Sequence, residues 1–113
     1  MTLSGKKALV TGAAGGIGQA IVKALTDAGA AIAATDFQVE DIPCDAAIPG
    51  DLTDPAHCDA LPAKAREALG GLDIVINNAG IIRRGVITDS TDDDYIQSMA
   101  VNVEAPFRIC RAA

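Results

Sequence analysis

One stretch decides the fold of this chain: Lys7-Ala-Leu-Val-Thr-Gly-Ala-Ala-Gly-Gly-Ile-Gly18. Its opening residues, 7–11, centre on consecutive apolar side chains and predict a short buried strand. A glycine-rich turn follows at 12–18, and apolar residues then recur at helical spacing as far as Gly29. The stretch therefore predicts a strand, a tight turn and a helix.

Strands and helices continue to alternate after this unit. Residues 31–36 form an apolar run without alternation, which indicates a strand buried on both faces of a parallel sheet. A brief strand is expected at 46–48 and a buried strand at 72–77. Between them we expect a helix that begins at Pro55 and that Pro62 kinks or divides. The alternation predicts an α/β fold, a doubly wound parallel sheet covered by helices.

A last helix is expected after a loop at 81–89. Its amino terminus lies at 90–94, where three consecutive aspartates complement the helix dipole. We expect Tyr95 to be a core residue at the start of this helix. Four residues share one helical face: Tyr95, Met99, Val103 and Phe107.

The composition excludes several kinds of partner. The chain has 113 residues, half of them apolar, which is enough for one domain with a packed core. Only 3% are aromatic, too few for a surface that stacks nucleobases. The net charge of −6 repels nucleic acid and anionic lipid, and no apolar run approaches the ~20 residues of a spanning helix. We therefore expect neither nucleic acid nor a membrane as a partner.

The cysteines and the single histidine suggest no metal site. Cys44, Cys58 and Cys110 are odd in number, far apart and without a Cys-x-x-Cys pair, which fits reduced thiols in a cytoplasmic protein. His57 has no second histidine with which to share a metal. We expect His57 to be a solvated helix residue.

The glycine turn is suited to bind a diphosphate. Backbone amides at a helix amino terminus bind such an anion only where no Cβ blocks the approach. Gly12 would permit the sharp turn, Gly16 the approach of the phosphates, and Gly18 the packing of the helix on the sheet. The spacing differs from the common Gly-x-Gly-x-x-Gly fingerprint, so a plain packing turn is the alternative.

Asp36 ends the second strand, 18 residues after Gly18, where an acid would accept hydrogen bonds from an adenine ribose diol. Its charge would repel the 2′-phosphate of NADP, and neither Gly15 nor Phe37 offers a compensating cation. We therefore predict NAD as the cofactor. A surface acid that merely ends a strand is the alternative.

Four motifs, at 11–18, 51–52, 77–80 and 102–103, stand in one order and together resemble the short-chain dehydrogenase/reductase family across essentially all 113 residues. The resemblance implies a Rossmann-type sheet with strand order 3-2-1-4 in this chain and binding of NAD(H) or NADP(H). It also implies hydride transfer between the nicotinamide and a small secondary alcohol or ketone. Homo-oligomers, dimers or tetramers, are implied for the complete enzyme, with the helix containing Asn102 and the one after it packed between subunits.

The resemblance also implies roles for individual residues. Asp51 and Leu52 would border the adenine, and residues 78–80 would line the ribose. Asn102 matches the family asparagine that holds a water linking the catalytic lysine to solvent; an asparagine that caps or bends its own helix is the alternative. The implied cofactor-binding residues are Gly12, Gly16, Ile17, Gly18, Asp36, Asp51, Leu52, Asn78, Ala79 and Gly80.

The chain departs from the family pattern first between the second and third strands. The family usually has a full helix there, but this segment is short and contains Pro43 and Pro49, so we expect a loop. In this it resembles a subset that includes dihydrodiol dehydrogenases acting on 2,3-dihydro-2,3-dihydroxybenzoate. The segment at 80–85 is similar to the same segment of these dihydrodiol dehydrogenases and of sugar-acid dehydrogenases of the 2-deoxygluconate type. Arg83 and Arg84 would then meet a substrate carboxylate, or they are two solvated loop arginines.

The second departure concerns the reaction itself. The family's catalytic serine and Tyr-x-x-x-Lys motif are not present in the 113 residues. Tyr95 is the only tyrosine, and the residue four positions after it is Met99 instead of a lysine. We therefore expect residues 1–113 to be a single NAD-binding domain, the amino-terminal half of a dehydrogenase, incomplete at its carboxyl end. Its fourth strand would be an uncovered edge. The alternatives are a non-catalytic nucleotide-binding module and a truncated inactive dehydrogenase.

Overall fold

The structure is a computed structural model that describes residues 2–113. Strands and helices alternate through most of its length. The elements are β1 (Lys7–Thr11), α1 (Gly16–Asp27), β2 (Ala31–Asp36), β3 (Ala46–Pro49), α2 (Pro55–Leu69), β4 (Ile74–Ile76), a short 3-10 turn (Ile87–Asp89), α3 (Asp92–Met99), a π-helical segment (Ala100–Glu104) and α4 (Ala105–Ala112).

The four strands form one parallel sheet in the order β3-β2-β1-β4. This confirms the predicted α/β sheet and its 3-2-1-4 order. Thr11, the last residue of β1, pairs with Thr35 of β2, and Asp36 pairs with Pro49 at the end of β3. Because these strands end in register, the segments that follow them emerge side by side at one edge of the sheet.

Both faces of the sheet are buried, as the unalternating strands predict. Neighbouring residues of β1 point to opposite faces, so Val10 joins one apolar cluster with Val22 of α1, and Leu9 joins another with Leu61 of α2 and Ile109 of α4. Alanines in β2 lie in both clusters, where their small side chains let the helices approach closely.

Helix α2 begins at Pro55, as predicted, and is capped at both ends. Asp54 accepts a hydrogen bond from Ala56 N at 3.0 Å, and the helix ends at Gly70 in the left-handed conformation with φ of 78°. Pro62 lies inside the helix and does not divide it, because α2 runs unbroken from Pro55 to Leu69. The proline is buried in the packed face of α2, where tertiary packing offsets the loss of one helical hydrogen bond.

The run from Asp92 to Ala112 buries a different stripe from the one that contains Tyr95. Tyr95 is 67% exposed, so the expectation of a core residue was wrong. The buried positions are Val101, Ala105 and Ile109, and the last two pack in the apolar cluster formed with the sheet and α2. Two stripes of spacing four coexist on this run, and the partner surface decides which of them is buried.

Strand β4 covers three residues, fewer than the predicted 72–77, and pairs within residues 2–113 with β1 alone. It therefore forms one edge of the sheet that these residues make. The side chains of Val103 and Phe107 on the last helices are exposed. None of the helices formed by the described residues is long and apolar enough to cross a bilayer.

Candidate functional site

A cleft of about 380 Å³ opens at the carboxyl ends of the strands. The chain leaves β1 toward β2 on one side and places β4 on the other, and such a reversal creates a crevice in open α/β sheets. All ten residues that the family resemblance implies as cofactor-binding line this cleft. Five further residues line it as well: Gly15, Phe37, Gly50, Ile81 and Val101.

Gly12 and Gly18 are required by the packing of the turn. Gly12 has a positive φ of 62°, and a Cβ there would lie 2.9 Å from Ala79 Cα. A Cβ on Gly18 would overlap the carbonyl oxygen of Gly12. Both positions therefore exclude larger residues, because the turn lies against the segment after β4 on one side and against α1 on the other.

Gly16 differs from these two glycines because a Cβ there would meet no atom within 4 Å. Gly16 begins α1. The helical i→i−4 hydrogen bond at this end is the one that Gln19 N donates to Gly15 O at 2.8 Å. The amides of residues 16–18 thus belong to the amino-terminal turn, where backbone donors lack helical partners and the dipole is positive. No acidic side chain lies in this first turn, so it is open to an anion.

The carboxylate of Asp36 is held beside the turn by two backbone amides. Its Oδ2 accepts a hydrogen bond from Ala14 N at 3.0 Å, and its Oδ1 accepts one from Phe37 N at 2.7 Å. Each oxygen retains capacity for a further donor. The acid that was predicted from its distance to the turn is therefore fixed at the rim of the cleft.

The segment after β4 is fastened to the glycine turn. Asn78 Nδ2 donates to Gly12 O at 3.2 Å, and Ala79 N donates to Thr11 Oγ1 at 3.0 Å. Thr11 is buried; it stands in the motif at 11–18, but its side chain was assigned no role from the sequence. The signal available was a polar residue that ends a buried strand, which requires a hydrogen-bond partner.

Asn102 lies in the π-helical segment and bonds both backbone groups of Ile81. Its Oδ1 accepts from Ile81 N at 2.8 Å, and its Nδ2 donates to Ile81 O at 2.9 Å. The side chain therefore bonds across the fold, not to its own helix. Asn102 itself does not line the cleft, but Ile81 and Gly80 do.

Arg83, Arg84 and His57 lie outside the lining of the cleft. The two arginines are exposed on the loop that follows Ile81. His57 is half-buried, so the expectation of a solvated residue was wrong. Burial, and then the nearby charge of Lys64, lower the pKa of His57 below its ordinary value, against the opposing effects of the nearby aspartates. Within residues 2–113, no cluster of three or more His, Cys, Asp or Glu side chains is placed to hold a metal ion.

Comparison with known proteins identifies the class that this Rossmann-type fold and cleft define. Residues 6–113 match the model of a family described as short chain dehydrogenase. The chain belongs to this family, as the four sequence motifs indicated.

Two curated relatives cover nearly the whole chain. It is 39% identical to Nodulation protein G of Rhizobium sp. (strain N33), a match that covers 96% of this chain and 48% of the relative. It is 33% identical to 2,3-dihydro-2,3-dihydroxybenzoate dehydrogenase of Bacillus subtilis (strain 168), a match that covers 97% of this chain and 46% of that one. The chain thus spans about half the length of the curated relatives it matches.

Solved structures agree with the fold. A short chain dehydrogenase from Burkholderia cenocepacia J2315, determined in complex with NADP, is 38% identical and superposes with a TM-score of 0.94. The match covers 100% of this chain and 51% of that one.

Proposed function

We propose that this chain is the cofactor-binding part of an NAD-dependent short-chain oxidoreductase that transfers hydride between the nicotinamide and a secondary alcohol or ketone. One observation carries the proposal beyond family membership. A single cleft gathers an open helix amino terminus, a fixed carboxylate and the motif after β4. Residues 1–113 would form one nucleotide-binding domain whose sheet continues past β4.

The residues of the cleft fit a dinucleotide. The open space at Gly16 leaves room for a diphosphate against the amides of residues 16–18. Asp36 would bind the adenine ribose diol, residues 51–52 would border the adenine, and residues 78–80 would line the second ribose. When bound, NAD supplies a nicotinamide ring that accepts or gives up a hydride.

The selection of NAD over NADP is supported by charge. A 2′-phosphate would meet the carboxylate of Asp36 at the rim of the cleft. Glycine at position 15 and Phe37 provide no cation there. The NADP bound to the Burkholderia relative belongs to a different sequence, so the comparison leaves the preference of this chain to be measured.

The substrate class is proposed from the loop at the mouth of the cleft. Ile81 lines the cleft, and Arg83 and Arg84 follow on an exposed loop, where they would meet a substrate carboxylate. A sugar acid, polyol or cyclic diol would suit this arrangement. Asn102 would position the loop through Ile81 and hold the water of a proton relay in the complete enzyme.

Two experiments test this function. The 113-residue chain should bind NADH in a fluorescence titration, and it should not reduce NAD, because it contains neither the catalytic serine nor the Tyr-x-x-x-Lys motif. The product of the natural gene should reduce NAD with one of the proposed substrate classes. If the chain binds neither NADH nor NADPH, the proposal is contradicted. If the natural polypeptide has only the mass of 113 residues, the non-catalytic module is favoured.

Location and assembly belong to the same proposal. The free thiols of Cys44, Cys58 and Cys110 support a cytoplasmic protein. The exposed side chains of Val103 and Phe107, which are 52% and 58% accessible, support burial of the last helices between subunits. Sedimentation of the complete enzyme should show a dimer or tetramer.

A further inference from the structure

The imidazole of His57 packs against Gly50, the residue that follows β3. A Cβ built on Gly50 would overlap the ring atoms Cε1, Nδ1 and Nε2. Gly50 is not among the glycines with positive φ, so its backbone conformation is open to alanine. The histidine ring is therefore the group that must shift if a side chain is introduced at this position.

The same ring reaches the end of β2. His57 Nε2 lies 3.4 Å from the hydroxyl oxygen of Thr35, which is fully buried. The carbonyl of Thr35 accepts a hydrogen bond from Ala13 N in the glycine turn at 3.3 Å. Next to it, the carbonyl of Asp36 accepts one from Gly50 N at 3.0 Å. The ring thus bridges two segments that both border the cleft.

The segment in contact with the ring forms one wall of the cleft. Gly50, Asp51 and Leu52 line the cleft, whereas His57 does not. Asp51 is held by its own turn, since its Oδ1 accepts from Thr53 N at 2.8 Å and its carbonyl accepts from Asp54 N at 3.0 Å. The wall is therefore a short turn into α2, and its first residue packs on the ring of His57.

We infer that His57 is a positioning residue that sets the Gly50–Leu52 wall against the base of the bound nucleotide, an inference that rests on the proposed function. The ring supplies volume behind Gly50 and a partner for the Thr35 hydroxyl. Without it, the turn can settle into the vacated space and move away from the base. His57 acts through the wall and touches no reacting group.

Binding of ADP and GDP to the full 113-residue chain tests this inference. The two ligands share a ribose diphosphate and differ only in the base, so the ratio of their Kd values reports on the wall. His57→Ala should weaken ADP about tenfold and GDP much less, lowering the preference for adenine. His57→Gln should retain most of the preference because its amide can fill the space and reach Thr35. Glu67→Ala, an exposed change on the same helix, is the matched control.

Gly50→Ala provides an independent variant. With His57 present, the added Cβ meets the ring and should weaken ADP about tenfold. In the double variant Gly50→Ala/His57→Ala the ring is gone, so the effect of the alanine should largely disappear.

The outcomes separate the two levels of the proposal. If the unaltered chain binds neither ADP nor NADH, the proposed function fails and the inference fails with it. If it binds ADP and His57→Ala keeps the ADP to GDP ratio within about twofold, only the role of His57 is wrong. If circular dichroism shows that His57→Ala alone is unfolded, His57→Gln decides: loss of the adenine preference in that folded variant would overturn the inference.

Discussion

Replacing Asp36 by asparagine tests whether the charge of this side chain selects the cofactor. Asparagine keeps the shape of the side chain and removes the charge. Its Oδ1 can still accept one of the two bonds that Asp36 now takes from Ala14 N at 3.0 Å and Phe37 N at 2.7 Å. We therefore expect the side chain to stay at the rim of the cleft, with the electrostatic effect removed.

The magnitude follows from the separation and exposure of the charges. Two unit charges about 4 Å apart repel by ~1 kcal/mol in water and by ~4 kcal/mol at an effective dielectric constant of 20. Asp36 is half-buried at an open cleft, and a phosphate carries more than one negative charge. The middle of this range applies, so Asp36→Asn should shift the ratio of NADPH to NADH affinity by about 10- to 100-fold toward NADPH.

Fluorescence titrations with NADH and NADPH measure this ratio directly. Asp27→Asn is the matched control, because it removes the same charge at the far end of α1, where Asp27 pairs with Lys23. Added salt should reduce the preference of the unaltered chain for NADH over NADPH, and it should leave the NADPH to NADH affinity ratio of Asp36→Asn nearly constant. The reasoning would be refuted if the unaltered chain bound NADPH more tightly than NADH. It would also be refuted if Asp36→Asn and Asp27→Asn had the same NADPH to NADH affinity ratio.

Three further predictions concern the turn, the last helices and His57. Gly18→Ala should lower the free energy of unfolding by about 2 kcal/mol or more. Gly16→Ala should leave Tm unchanged or raise it, and it should weaken NADH binding. Equal changes of Tm in the two variants would contradict the packing described for the turn. Asn102→Ala should cost about 1–3 kcal/mol in chemical denaturation through its lost bonds to Ile81, and in the complete enzyme should slow turnover more than it weakens NADH binding. Folding lowers the pKa of His57, so the native state favours the neutral imidazole. Tm should therefore fall as the pH drops through about 6.5 toward the folded pKa. The same pH dependence of Tm in His57→Gln would exclude His57 as the cause.

The site could be predicted largely from local sequence. Gly12 and Gly18 are needed for backbone conformation and close approach within a few residues of themselves, and such needs are visible in a sequence. Asp36 follows from the end of an apolar strand at a known distance from the turn. The order of strands follows from the alternation of elements together with the resemblance to a family.

The remaining features depend on contacts that no local pattern records. The buried stripe at Val101 could not be distinguished from the one at Tyr95, because both have helical spacing and only the partner surface decides between them. The π-helical segment that carries Asn102 left no signal in residue type. The packing of His57 on Gly50 joins a helix to the end of a strand, and a lone histidine predicts no such contact.

The most direct test of the central claim is a crystal structure of the chain bound to NADH. The diphosphate should lie against the backbone amides of residues 16–18, with the adenine ribose on Asp36 and the base beside residues 50–52. A nucleotide bound elsewhere, or a cleft closed by its own side chains in the complex, would contradict the account.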